Sequence, residues 1–319
     1  MVQSNPIIQT ENLTKVYSSR RSQTRALDRL NLSVQPGEIF GYLGPNGAGK
    51  TTTIRLLLDL IRPTSGRARI FGLDAQANAV EIHRRIGFLP GELSLWRSLT
   101  GLQVIRHIAN VRGMPGIQYA HQLAERLQLD LSKRVRDYSS GNRRKLGLVV
   151  ALMHEPELLI LDEPTNGLDP LMQQEFNQMM REVRAEGRTV FLSSHVLGEV
   201  QAICDRVGIL REGELRAVER VERLTHVDFR WVEMRFREDV PAAWRERLRD
   251  IHGVSEISID GTALRVRLQG DFDPLLRAVS SGYIRDLRVK EPTLEEIFLT
   301  FYDGSGQRAA QPEQVKELA

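Results

Sequence analysis

The segment Gly44-Pro45-Asn46-Gly47-Ala48-Gly49-Lys50-Thr51-Thr52 constrains this chain more than any other. Its spacing, G-x-x-x-x-G-K-[ST], puts glycines where main-chain N–H groups must curl around anionic oxygens, then an ammonium and a hydroxyl at the far end of the curl. Residues 38–43 ahead of it form a short apolar run typical of a buried strand, and residues 53–58 behind it have helix-forming composition. Strand, loop and helix in that order are the context a phosphate cradle requires.

With 319 residues the chain is long for one domain and suits two, each able to bury its own core. The net charge is +3, and the 44 basic residues, mostly arginine, are spread along the chain, so no basic run argues for nucleic acid. The longest apolar run, 146–153, is interrupted by Gly147 and falls far short of the ~20 residues of a membrane span. Residues 1–6 lack the charged-then-apolar pattern of a leader. A lone Cys204 excludes an internal disulfide and a cysteine metal cluster, consistent with a reducing cytoplasm.

Residues 7–17 and 25–34 alternate apolar with polar, as half-buried antiparallel strands do, and are separated by a polar loop. Tyr17, at the end of the first, is either ordinary packing or a ring able to stack on a base. After the cradle, the turn Pro63-Thr64-Ser65-Gly66 leads to a further strand of that sheet at 67–72. Residues 92–153 change to helical patterns and read as a helical insertion. It ends in Tyr138-Ser139-Ser140-Gly141-Asn142 ahead of a helix running to about Met153. Those hydroxyls form a helix N-cap, or the exposed N–H groups there form a second anion site.

The run Leu158-Leu159-Ile160-Leu161 is too continuously apolar for a two-faced sheet, so it reads as a central parallel strand, and it ends in Asp162-Glu163. The two carboxylates are a polar strand end, or else Asp162 holds the Mg²⁺ that Lys50 and Thr51 call for while Glu163 orients or deprotonates an attacking water. A tight turn containing Asp169 follows, then a helix over 171–186 and a parallel strand over 189–193 that delivers Ser194-His195 to the same edge. A hairpin over 205–217 closes the first domain. The second reads strand (231–236), helix (242–251), two strands (254–259, 263–268), helix (274–279), strand (284–290), the β-α-β-β-α-β order of a ferredoxin-like unit. A last helix starts at Pro292-Thr293, with Thr293 and Glu296 at capping-box spacing, and a disordered tail occupies 303–319.

Taken together and in this order, these motifs resemble the nucleotide-binding subunit of ATP-binding cassette (ABC) transporters, most closely the drug-exporter subgroup whose permease, of the ABC-2 type, is a separate polypeptide. The resemblance covers about 5–220 and continues to Tyr302, since Lys290-Glu291-Pro292-Thr293-Leu294-Glu295-Glu296-Ile297-Phe298 is similar to that subgroup's ending. It implies an α/β P-loop NTPase of the ABC-ATPase type: a mixed RecA-like core, an antiparallel β subdomain and a helical subdomain (about 92–153) within 5–220, followed by an accessory α+β domain over 221–302. It further implies that Gly44 to Thr52 are the Walker A loop, with Lys50 on the terminal phosphates and Thr51 on Mg²⁺. Tyr17 would stack on adenine, Asp162 would bind Mg²⁺, Glu163 would be the catalytic carboxylate and His195 would touch the γ-phosphate. Asp169 would be the D-loop aspartate. Ser139, Ser140, Gly141 and Asn142 would be the signature segment that serves the ATP of a second copy in a head-to-tail homodimer on the cytoplasmic face of the membrane. Two departures stand out. The signature has Ser140 and Asn142 where Gly and Gln are commoner, and residues 86–90 lead into Gly91-Glu92 where a glutamine is usual. Rival readings are a soluble cassette ATPase acting on ribosomes or DNA without a permease, and a P-loop kinase. The chain has neither the tandem cassettes nor the coiled coil usual in the first, and the signature segment has no purpose in the second.

Overall fold

The computed structural model describes residues 5–18, 23–222 and 229–290, so the helix expected at 292–302 and the tail at 303–319 lie outside the described residues. Two compact units meet between Val221 and Glu222.

The first unit opens with β1 (Ile8–Ser18), β2 (Gln23–Leu30) and β3 (Ser33–Val34), followed by β4 (Ile39–Leu43), α1 (Lys50–Leu57), β5 (Ser65–Ile70) and β6 (Leu73–Asp74). Strands β2, β1, β5 and β6 line up in one antiparallel sheet, with β3 also on β1. The strand expected over 25–34 is broken in two. Arg29 takes a left-handed φ of 42°, and the Asn31 side chain accepts from the Asn12 N–H and donates to the Arg29 carbonyl, displacing the ladder at that point.

Next come α2 (Ala79–Arg85), β7 (Ile86–Leu89), α3 (Gly101–Arg112), α4 (Gln118–Arg126) and α5 (Ser140–Leu152), then β8 (Leu158–Asp162), α6 (Pro170–Ala185), β9 (Thr189–Ser194), α7 (Leu197–Ile203), β10 (Arg206–Arg211) and β11 (Glu214–Arg220). The insertion turns helical at 101, later than the expected 92. Thr100 caps α3 there, its hydroxyl accepting from the Gln103 N–H while the Gln103 side chain accepts from its own.

The second sheet runs β11-β10-β4-β9-β8-β7, parallel throughout except for β11. Every residue of β4, β8 and β9 is buried, which is what strands covered on both faces require. Phe40 stacks on Phe191 between β4 and β9, and Tyr42 tilts against the same ring, so the strand ahead of the cradle and the strand ahead of His195 are locked side by side. Cys204, at the end of α7, is buried and its thiol pKa is raised by desolvation.

His154, just past α5, ties the helical insertion to the sheet edge, with its Nε2 3.1 Å from the Ile86 carbonyl and its Nδ1 buried without a hydrogen-bond partner among the described residues. Burial, with Arg112 and Arg188 adding like charge, lowers its pKa to about 4. The unfolded chain therefore binds the extra proton first as pH falls. This contribution is complete above about pH 6.5 and is lost as pH drops toward about 4, a difference of about 3 kcal/mol. Urea unfolding at pH 7, 5.5 and 4 should show this decline, and His154→Gln should flatten it.

The second unit contains β12 (Phe229–Phe236), α8 (Trp244–Arg249), β13 (Val254–Asp260), β14 (Ala263–Gln269), α9 (Asp273–Ala278) and β15 (Ile284–Lys290). Its sheet has the order β13-β14-β12-β15 with every pair antiparallel, a ferredoxin-like arrangement. Alternate residues of β12 and β14 (Val232, Met234, Phe236; Leu264, Val266, Leu268) pack with Trp244, Leu248 and Leu275 of the helices into one core.

Candidate functional site

Strand β4 ends at Leu43, and the chain then loops through Pro45, Asn46 and Gly47 at an exposed tip before entering α1 at Lys50. Gly49 closes the loop at φ 110°, and a Cβ there would lie 2.4 Å from the Ala26 carbonyl, so only glycine fits. The Gly44 N–H donates to the Ser194 carbonyl (3.3 Å) and that of Ala48 to the Pro45 carbonyl (3.1 Å), which fixes the curl. The N–H groups of the first turn, Lys50 to Thr52, have no intrahelical acceptor and face the loop. Lys50 is buried, its Nζ donating to the carbonyls of Gly44 (2.6 Å) and Pro45 (3.3 Å).

The end of β8 supplies the opposing charges, and the end of β9 the groups that hold them. Asp162 is buried and accepts from the Thr51 hydroxyl (2.9 Å) at one oxygen and from the Ser193 hydroxyl (2.5 Å) at the other. Glu163 leaves the strand at φ 50°, a left-handed conformation that costs a non-glycine residue about 1 kcal/mol or more. Its N–H is shared between the Ser193 carbonyl (3.2 Å) and hydroxyl (3.1 Å). This turn swings the carboxylate away from that of Asp162. One oxygen lies 3.3 Å from Lys50 Nζ and the other 2.7 Å from His195 Nδ1, which donates to it. His195 is exposed. Glu199 of α7 accepts from the hydroxyls of Thr165 (2.5 Å) and Ser194 (2.7 Å), bracing the bends after β8 and β9.

Lys50, Thr51, Asp162, Glu163 and His195 are thus joined in one cluster by direct contacts. The other sequence-derived positions are placed separately. Ser139 and Ser140 are exposed at the start of α5, where the Ser139 hydroxyl accepts from the Asn142 N–H at 3.2 Å, a helix N-cap. A Cβ on Gly141 would come within 2.7 Å of the Gly167 carbonyl, so the signature segment and the turn before α6 lie against each other. Asp169 caps α6 through the Met172 N–H (3.0 Å). Tyr17 is 43% exposed, with Lys15 Nζ 5.2 Å from its ring centroid. Gly91 lies at the cluster, since a Cβ there would be 3.0 Å from Asp162 Oδ2, whereas Glu92 is exposed.

Ser193 and Glu199 are parts of the site that residue patterns missed. A serine inside an apolar strand and a glutamate on a short helix carry no spacing signal.

A phosphate-curling loop that faces two consecutive carboxylates at the end of one parallel strand, with a histidine after the neighbouring strand, defines a P-loop nucleoside triphosphatase. The ABC transporter family model matches residues 27–166. The bacitracin transport ATP-binding protein BcrA of Bacillus licheniformis is 38% identical over 93% of this chain and 98% of its own length. The linearmycin resistance ATP-binding protein LnrL of Bacillus subtilis is 29% identical over 92% of this chain and 97% of its own length. A solved ATP-binding subunit of an ABC transporter superposes with a TM-score of 0.62 at 29% identity, covering 68% of this chain and 91% of that one. The chain belongs to the ATP-binding proteins of ABC transporters. It is an ATPase, and ATP is its nucleotide. Among the described residues no helix is long and apolar enough to cross a membrane.

Proposed function

We infer that this chain powers export of an antibiotic or similar small molecule through a separately encoded permease of the ABC-2 type, working as a head-to-tail homodimer on the cytoplasmic face of the membrane. The observation that supports this reading above others is the end-to-end likeness to a bacitracin transport ATP-binding protein, which extends through the second unit and not the cassette alone. That second unit has an accessory role, and the reading needs no nucleic acid.

In this reading Tyr17 stacks on adenine, the N–H groups of Gly44 to Thr52 wrap the phosphates, and Lys50 moves from the Gly44 and Pro45 carbonyls to the terminal phosphate oxygens. The Thr51 hydroxyl and Asp162 Oδ2, 2.9 Å apart, are both hard oxygen donors at the mouth of the cradle. This donor set fits Mg²⁺, which takes few protein ligands and completes its shell with phosphate and water. When bound, Mg²⁺ neutralises phosphate charge. Glu163, turned out of the strand at φ 50°, takes the proton of the attacking water, with His195 and Lys50 holding it in place. Ser139, Ser140, Gly141, Asn142 and Asp169 serve the nucleotide of the other copy.

Purification of the tagged chain from detergent-solubilised membranes of its source cells tests the reading. The expected result is a stoichiometric complex with a polytopic membrane protein. Recovery only in the soluble fraction, or on ribosomes, would favour the permease-free alternative.

A further inference from the structure

Arg144 is 3% exposed, on α5 five residues after Ser139. Its guanidinium donates to five main-chain carbonyls drawn from two other segments. Nη1 reaches Pro90 (2.7 Å) and Gly91 (3.1 Å) in the loop after β7. Nη2 reaches Asp162 (2.5 Å) and also Glu163, while Nε reaches Pro164 (3.1 Å) at the bend after β8. A guanidinium has five N–H donors, so these contacts match its whole capacity. Among the described residues its hydrogen-bond partners are all carbonyls. A buried cation of this kind costs desolvation that an apolar side chain of similar size would not, so holding the fold together does not explain it.

The five acceptors identify what the cation does. Two belong to the loop whose Gly91 abuts Asp162 without offering a side chain, and three belong to the bend that turns Glu163 out of the strand in a left-handed conformation. We propose that Arg144 is a positioning residue for hydrolysis: it locks loop 90–91 and bend 162–164 into one unit, so that the Glu163 carboxylate stays between Lys50 and His195. With Gly91 in the loop, contact between loop and carboxylates runs through main chain, and Arg144 holds that main chain at both ends. The proposal rests on the reading of Glu163 as the group that accepts the water proton.

Its test uses the full-length chain carrying Arg144→Met or Arg144→Lys, each made alone and with Glu163→Gln. Steady-state ATPase kinetics are measured together with binding of a fluorescent ATP analogue and the thermal midpoint. Arg144→Met should lower kcat about 10²-fold, the scale of a misplaced reacting group, with analogue affinity held within about threefold. Arg144→Lys, which keeps the charge but spans fewer carbonyls, should fall between the two and serves if the methionine variant does not fold. In the Glu163→Gln background neither change should lower kcat further, because the group through which Arg144 acts is gone. A merely structural arginine would instead lower the midpoint and analogue affinity, or multiply its loss with that of Glu163→Gln, and either result overturns the proposal. Near-normal kcat in both arginine variants beside an inactive Glu163→Gln would sink the role of Arg144 alone. Normal turnover in Glu163→Gln would sink the underlying reading, and this proposal with it.

Discussion

Glu163→Gln should bind ATP as tightly as the unaltered chain and hydrolyse it between about 10² and 10⁴ times more slowly, the span a positioned proton acceptor contributes. Glutamine has the same shape, and its amide oxygen can still accept from His195 Nδ1, now 2.7 Å from the carboxylate. What it cannot do is take a proton. The change also removes the charge 3.3 Å from Lys50 Nζ, which leaves the ammonium freer to serve phosphate oxygens. The ATP-bound dimer should therefore accumulate, visible as a doubling of apparent mass on gel filtration with ATP and Mg²⁺. Hydrolysis at the ordinary rate would remove Glu163 from the chemistry.

Ser139→Arg should abolish hydrolysis to at least a comparable degree, although among the described residues no hydrogen bond or ion pair joins Ser139 to the Lys50 cluster in its own chain. The bulky cation would occupy the exposed start of α5, where the Ser139 hydroxyl now caps the helix. If each site combines one chain's cradle with the other's Ser139, a dimer of the Ser139→Arg chain with a Lys50→Ala chain holds one whole site and one doubly damaged site. Such mixed dimers, verified by two tags, should recover roughly half the activity of the unaltered dimer, whereas each variant alone is silent. No recovery would argue that the two chains do not share sites.

The cradle was legible because its chemistry dictates residue types at fixed spacing: Gly49 has no alternative at φ 110°, and Lys50 and Thr51 follow where the helix begins. The buried strands around it were legible because continuous apolar runs such as 158–161 have one stable home. Strand β7 was missed as a strand because four residues containing Gly87 carry no period, and only its pairing with β8 makes it one. The broken second strand depends on Asn31 reaching Asn12, a contact nineteen residues apart in sequence. Arg144 was illegible for a related reason. Its partners are carbonyls, which every residue has, so no side-chain pattern marks the positions it binds. The β-α-β-β-α-β order of the second unit was readable because its two central strands alternate cleanly over one core, β12 with Val232, Met234 and Phe236 and β14 with Leu264, Val266 and Leu268.

The left-handed backbone at Glu163 sets activity against abundance at one position. Glycine or asparagine adopts φ 50° more readily than glutamate does, so the residue that suits the backbone there is not the residue that suits the reaction. A selection that rewards only the amount of folded protein would favour inactive replacements at 163, and glutamate persists there only where turnover itself is under selection.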